Sequence, residues 1–496
     1  MLNLIRNLLR PGERLSHRAF SAGAWAFGLR IAMRVLVLAR TVVLARLLVP
    51  EDFGLMAIAT LVLLLFDRLT QPGFDAALVQ RGGDIREYLD TAWTFQVARS
   101  TAIAAVLLLT APAIAGFFNA PEAESILRVL SIAVLIKGLA SVGIVDIWRE
   151  LRFDRYFLIE ISAPVADVIV SITAALILRN VWALVLGVLA GAVLRTASSY
   201  LLHPYRPRFR WNRVQAGEMF RFGKWVMATN ILGYTSVNLD DILVGRLLGV
   251  TSLGFYRMAY NFSQAVSSEF SAITSQVAFP TYSRLQSDDD RRRAAYMGTL
   301  HLVAFLAFPV AVGTALVASD LVIGLLGAKW APIIPALQLL CIAGLARALS
   351  GTAIPLFEAG GKPHIGAILA GVELAVLAIL LVPAIDYAGI EGAAGAVATT
   401  GAFLGVASLL MAFRYVGGTL ADASQTLLIP AINTGIMTLA VLGTMSLLPN
   451  RPTALSFVIL AAVGAAAYFA SVWITVRSGL YTAPKDLTTR LGELRQ

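Results

Sequence analysis

Residues 19–54 read AFSAGAWAFGLRIAMRVLVLARTVVLARLLVPEDFG. Up to position 49 the stretch is long and apolar enough to cross a bilayer as one helix. It nevertheless carries Arg30, Arg34, Arg40 and Arg46, with Arg18 just before it. A guanidinium at hydrocarbon depth is costly and normally faces a wet internal cavity. At about 100° per residue, Arg30, Arg34 and Arg40 fall within an arc of roughly 120°. One face of this helix is therefore cationic and the rest faces lipid or protein. An arginine-lined cavity suits an anionic cargo. Phosphate is the leading candidate, because the guanidinium fork matches its oxygens.

The pattern returns 200 residues later, as MFRFGKWVMATNILGYTSVNLDDILVGRLLGVTSLG at 219–254. Gly23-Ala24-Trp25 becomes Gly223-Lys224-Trp225, and Arg46-Leu47-Leu48 followed by Gly54 becomes Arg246-Leu247-Leu248 followed by Gly254. Six predicted helices separate the copies, an even number, so both run in the same direction across the membrane. This predicts a parallel repeat of two six-helix halves about an axis along the membrane normal. A weaker echo pairs Gly138-Leu139-Ala140 with Gly344-Leu345-Ala346. The halves differ in charge: Asn230, Tyr234 and Asp240 stand where the first copy has Arg30, Arg34 and Arg40.

Composition agrees with a polytopic membrane protein. The 496 residues are 58% hydrophobic and 14% charged, with a mean hydropathy of +0.76; a soluble domain is about 25% charged. Apolar stretches predict fourteen spans, at 20–47, 53–70, 92–117, 125–147, 157–178, 181–202, 219–247, 253–283, 295–318, 333–357, 364–385, 389–413, 425–447 and 454–476. Cations gather in alternate connections. They include Arg68, Arg81 and Arg86, then Arg149, Arg152 and Arg155, then Arg206, Arg208, Arg210 and Arg213, then Arg284, Arg291, Arg292 and Arg293. The opposite loops, such as PED at 50–52 and VTS at 250–252, are short and poor in cations. The positive-inside rule then places both termini in the cytoplasm. The expected layout is an amphipathic cytoplasmic segment at 1–18, a six-helix bundle at 19–202 and a basic cytoplasmic linker at 203–218. A second six-helix bundle follows at 219–416, then two peripheral helices at 417–478 and a cytoplasmic tail at 479–496. The start of the chain shows no cleavable leader.

Several other ionisable residues fall inside predicted spans. Lys137 and Arg347 lie near the middle of spans 4 and 10, and Asp167, Glu269 and Glu373 near the middle of spans 5, 8 and 11. Asp240 and Asp241 lie toward the outer end of span 7. Such residues mark substrate or ion pathways. Arg30, Arg34, Arg40, Lys137 and Arg347 are the candidate substrate contacts. Asp167, Glu269, Glu373, Asp240 and Asp241 are the candidate ion-coupling acids, expected within ion-pair reach of a cavity cation. The competing reading is structural ion pairing, of Lys137 with Asp167 or of Arg257 with Asp240 or Asp241. Arg99, Arg195 and Asp146 lie closer to the cytoplasmic boundary and read as snorkelling or paired there.

Nothing in the chain supports chemistry on a substrate. There is no GxxxxGK[ST] phosphate loop, so any fuel is an ion gradient, the membrane potential or removal of product. A single Cys341 and four scattered histidines leave no metal or disulfide framework. No cofactor is expected. The net charge of +10 belongs to the cytoplasmic loops and not to nucleic-acid binding.

LVPEDFGLMAIAT (48–60), GFDAALVQR (73–81), YLDTAWTFQ (88–96), NLDDILVGRLLG (238–249), LGFYRMAYNF (253–262), FPTYSRLQ (279–286) and GLLGAKWAPIIPALQLL (324–340) resemble the polysaccharide transporter family. These are Wzx-type flippases of the multidrug/oligosaccharidyl-lipid/polysaccharide exporter superfamily, with colanic-acid-type exopolysaccharide flippases the most similar. The resemblance implies two six-helix bundles around a central cavity that works by alternating access. It implies an undecaprenyl-pyrophosphate-linked oligosaccharide as cargo for exopolysaccharide, capsule or O-antigen synthesis. It also implies a bacterial inner-membrane location, proton or Na⁺ antiport, and a polysaccharide polymerase and chain-length regulator as possible partners besides membrane lipids. A peptidoglycan lipid-precursor flippase would share the cationic cavity. A multidrug or cation antiporter of the same fold would call for an acidic one, and a scaffold in an assembly complex would need no buried arginines.

Overall fold

The computed structural model describes residues 15–70, 86–149, 152–211, 233–286, 288–448 and 452–478. All the regular elements among them are helical. The first is α1, Leu15–Leu47, followed by α2, Pro50–Thr70, and α3, Arg86–Phe117. Span 4 is split into α4, Glu122–Gly138, and the short α5, Ile144–Arg149. Then come α6, Phe153–Leu178, α7, Trp182–Leu201, and α8 at 233–248. The first part of span 7, with Gly223, Trp225 and Asn230, lies outside the described residues. Next are α9, Val250–Arg284, and α10, Asp289–Leu316. A π-helical turn, Asp320–Leu326, and a 3₁₀ turn, Ala328–Ile333, lead into α11, Ile334–Ser350, and α12, Ile354–Ala359. The series ends with α13, Pro363–Tyr415, α14, Leu420–Leu447, and α15, Ala454–Arg477. Eight helices among the described residues are long and apolar enough to cross a membrane.

Two predicted spans share α13. Inside it the backbone breaks at Ala388 and Gly389, the latter at φ +56°. A side chain would be strained there, so glycine is what permits the kink between 363–387 and 390–415. Gly392 completes the turn, because a Cβ on it would run into the carbonyl of Ala384.

The chain divides into two compact units at Gly254 and Phe255. This is later than the linker at 203–218, where composition suggested a boundary. The reason is local. The linker is strapped to α3: the Tyr205 hydroxyl and the Arg208 amide both donate to the Asp90 carboxylate, the latter at 3.1 Å, and Phe209 packs on Trp93. Burial and the adjacent Asp90 carboxylate push the Tyr205 phenol up, so it stays a donor. Past the linker, the Tyr234 hydroxyl on α8 donates to the Leu61 carbonyl of α2 at 2.6 Å, and Arg246 lies over the Phe117 ring.

The start of α9 also belongs to the first unit, and it explains the strongest repeat in the sequence. A Cβ on Gly54 would overlap the carbonyl of Val250, and a Cβ on Gly254 would overlap the carbonyl of Pro50. Pro50 and Val250 are themselves 200 positions apart, as are Gly54 and Gly254. The two copies of the repeat therefore meet reciprocally, each glycine giving room to the other copy's backbone, an isologous contact built inside one chain. The weaker echo has no such meaning: Gly138 ends α4, whereas Gly344 lies inside α11.

Small residues set the other close approaches of the first unit. The α6–α7 hairpin packs through Gly187, which faces Asp167 and Ser171, and Gly191, which faces the Ala163 backbone. This is the small-xxx-small spacing that lets membrane helices approach. In the second unit, Tyr282, Tyr296, Phe357 and Phe413 form one buried cluster. The two helices expected to be peripheral, α14 and α15, pack onto α10 with a core of their own from Val317, Met437, Val441, Leu460 and Tyr468. Ser456, in the Thr453 capping box of α15, also donates to the buried Asp320 at the π turn.

Two consequences can be measured. Gly54→Val or Gly254→Val places a branched side chain against backbone that cannot move aside. Each should lower the melting temperature of the purified protein, whereas Gly116→Ala, where a Cβ meets nothing within 4 Å, should leave it unchanged. Asp422 caps α14, accepting from the Thr419 side chain and backbone and pairing with Arg293. Those hydrogen bonds, the Thr419 side chain's first, hold its carboxyl down at about 2. Its contribution is complete above the unfolded carboxylate pKa of about 3.9 and is lost as pH falls through the folded value. Asp422→Asn should therefore weaken thermal stability at pH 6 and narrow its difference from the parent protein below pH 3.

Candidate functional site

The cationic face of α1 points into the first unit. Arg34 is half-buried, and one of its terminal nitrogens is buried without a hydrogen-bond partner among the described residues. Two turns on, Arg40 meets α6: its NH2 lies 2.9 Å from an Asp167 carboxylate oxygen, and its Nε donates to Ser171 at 3.1 Å. Gly187 on α7 leaves the space that the Asp167 carboxylate occupies. Asp167 therefore pairs with Arg40 and not with Lys137, the partner that the competing structural reading gave it. The reason is packing, since α1 lies against α6. Arg30 stands on the same helix, but its side chain is outside the described residues.

A second polar centre lies where span 4 breaks. The helix ends at Gly138, and 139–143 run on without regular structure before α5. An open backbone inside an apolar bundle needs partners, and neighbouring side chains supply them. Gln96 Nε2 donates to the carbonyls of Gly138 and Ala140 at 2.9 and 3.0 Å. Thr196 donates to Ile136 at 2.9 Å, and the Tyr200 hydroxyl to Leu139 at 2.6 Å. The Ser199 hydroxyl accepts from the Ser141 amide at 2.9 Å. Gly138 itself is needed because a Cβ there would strike Ser100.

This break lines a cavity of about 550 Å³ built entirely from the first unit. Five charged residues face it: Asp67, Arg99, Lys137, Glu160 and Arg195. Arg99 pairs with Asp67, and Arg195 with Glu160 at 2.7 Å. Lys137, exposed in the cavity wall, has no ion-pair partner among the described residues. The sequence marks Lys137 as a substrate contact and sets Arg99 and Arg195 at the cytoplasmic boundary; the cavity brings these three together with Asp67 and Glu160, which the sequence pattern does not single out. The legible signal was the set of polar residues, Gln96, Ser141, Thr196 and Ser199, inside otherwise apolar spans.

The remaining candidates lie on other helices. Arg347 on α11 belongs to the second unit, where its NH1 donates to the Tyr260 hydroxyl at 3.0 Å. Arg347 and Arg257 both place their guanidinium groups near the Tyr260 ring, at 5.9 and 5.8 Å from its centre. Asp240 and Asp241 are buried on α8. Glu373 is half-buried on α13 without an ion-pair partner among the described residues. The side chain of Glu269 lies outside the described residues.

Comparison with known proteins gives these features a context. The family model described as "Polysaccharide biosynthesis protein" matches residues 43–335. The chain is 27% identical to the lipopolysaccharide biosynthesis protein WzxC of Escherichia coli (strain K12) over 341 residues, 68% of each chain. It is 25% identical to the succinoglycan biosynthesis transport protein ExoT of Rhizobium meliloti (strain 1021), over 71% of this chain and 70% of that one. Among solved structures it resembles the lipid II flippase MurJ in an inward closed conformation. The TM-score is 0.76 at 15% identity, covering 92% of this chain and all (100%) of that one. At that identity the likeness is one of fold. An all-helical, multi-pass membrane chain matched by this model over more than half its length belongs to the polysaccharide biosynthesis protein family.

Proposed function

We propose that this protein is a flippase that moves undecaprenyl-pyrophosphate-linked oligosaccharide units from the cytoplasmic to the outer leaflet of the bacterial inner membrane, by alternating access, with both termini in the cytoplasm. The cargo crosses chemically unchanged and serves surface-polysaccharide synthesis, with a polymerase and chain-length regulator as downstream partners. The observation that carries this reading is the set of cations held inside an apolar bundle: Arg34, with a buried nitrogen lacking a partner, Arg40 and Lys137. Such groups persist in a membrane interior when a charged ligand uses them. Cations also outnumber acids in the cavity wall, which suits a pyrophosphate and not the cationic substrates of a multidrug antiporter. Membership of the family supports the same cargo class.

Within this reading, Arg40 with Asp167 is the ion-coupling pair. A carboxylate held by arginine can exchange that partner for a proton or Na⁺ when the arginine turns to the lipid head. Deleting the gene should abolish surface polymer and leave lipid-linked repeat units on the cytoplasmic side. Arg34→Ala should do the same with the protein still in the membrane, and Arg34→Lys should rescue only in part, since lysine lacks the bidentate fork. For the pair, the exchange Arg40→Asp with Asp167→Arg should restore membrane levels without restoring export. Full export by the exchanged variant would make the pair structural. Flipping by Asp167→Asn that keeps its dependence on an imposed gradient would remove Asp167 from coupling.

A further inference from the structure

The strap that follows α7 alternates in character. Residues 205–211 read YRPRFRW, with arginine at 206, 208 and 210 and a ring or proline between them. The amides of Arg208 and Arg210 donate to Asp90 and Thr94 of α3, at 3.1 and 3.0 Å. Those two acceptors are one helical turn apart, about 6 Å along the axis, which is the reach of two residues of extended chain. In an extended chain successive side chains point to opposite faces. The odd-numbered rings lie on α3: Tyr205 donates to Asp90, Phe209 packs on Trp93, and Trp211 stacks on Phe95 with ring centres 6.4 Å apart. Arg206, Arg208 and Arg210 are all exposed. Arg206 is turned back onto the His203 and Tyr205 carbonyls. The guanidinium groups of Arg208 and Arg210 make no hydrogen bond or ion pair among the described residues, where only their backbone amides are engaged. Asp90, the carboxylate that holds the strap, is taken up by a hydroxyl and an amide.

The strap also has a depth. It starts directly after α7 and lies along the first turns of α3, and both helices are long and apolar enough to cross a membrane. That puts it at the boundary of lipid and water. Phe209 is 72% exposed and Trp211 53%, and exposed rings at that level are the interfacial anchors of membrane proteins. We propose that the strap is a docking site for anionic phospholipid headgroups, with Arg208 and Arg210 on the phosphates and Phe209 and Trp211 in the boundary beside them. Lipid fits this surface better than an acidic protein does, because the open guanidinium groups alternate with rings that favour the bilayer edge. Tyr205 packs with Val142 and Val145, which also line the cavity. A headgroup that holds the strap therefore braces one wall of that cavity. The leaflet is the cytoplasmic one on the orientation proposed above, but the site itself rests on neither that orientation nor the cargo.

The test uses the full-length protein in nanodiscs of phosphatidylcholine with rising fractions of phosphatidylglycerol. Lipid retained after release into detergent is counted by native mass spectrometry. Arg208→Gln with Arg210→Gln should lower the preference for phosphatidylglycerol by about fivefold per arginine, the usual weight of one basic residue at an anionic surface. The melting temperature in pure phosphatidylcholine should not move, since neither guanidinium is bonded within the strap. Arg208→Lys with Arg210→Lys should keep most of the preference. Arg291→Gln with Arg414→Gln, which removes the same charge from two exposed arginines of the second unit, should leave it intact. Asp90→Ala gives the sharpest contrast. It makes the protein more cationic, so a diffuse attraction to anionic lipid would strengthen, whereas a site organised by the pinned strap weakens. A strengthened preference in Asp90→Ala overturns the proposal. So does an equal loss in the two arginine-to-glutamine variants. An unchanged preference in Arg208→Gln with Arg210→Gln leaves the arginines to a protein partner and overturns it as well.

Discussion

In a hydrocarbon interior every peptide group needs a partner inside the protein. The first unit meets this constraint at its least regular place, the break after Gly138, by turning side chains of α3 and α7 onto the exposed carbonyls. Gln96 serves two of them, and Thr196 and Tyr200 one each. The residues that permit the break also bring polar groups to the wall of the cavity. The cavity follows from the opened helix, and Lys137, Arg99 and Arg195 line it.

Burying charge in such a unit favours pairs whose geometry is over-determined. Asp167 is bounded by Arg40 on one side and by the bare backbone of Gly187 on the other. Removing one partner of a buried pair leaves the other uncompensated, which is more damaging than the pair is stabilising.

The reciprocal contact of Gly54 and Gly254 gives the internal repeat a physical meaning. Duplicated backbones that meet each other must both lack side chains at the meeting point, so a glycine in one copy requires its counterpart in the other. The repeat at an offset of 200 is thus recorded in contact geometry as well as in letters.

Hydropathy, read from the sequence, was sufficient for the membrane class, the positions of most of the described helices and the cationic character of α1. These depend on local composition: about twenty apolar residues suffice for a span, whatever surrounds them. The repeat was legible as well, since it lies in the order of residues. Partner choice was not. Arg40 meets Asp167, and Lys137 stays open, because α1 packs on α6 and Gly187 leaves room there, and no periodicity reports which helices become neighbours. The break in span 4 was hidden for the same reason. Its residues are apolar enough to continue a helix, and only the donors arriving from α3 and α7 make the open backbone affordable. The division at Gly254 likewise came from Tyr234, Gly245 and Gly254 packing back onto earlier helices. Spans are decided along the chain. Ion pairs, breaks and cavities are decided across it.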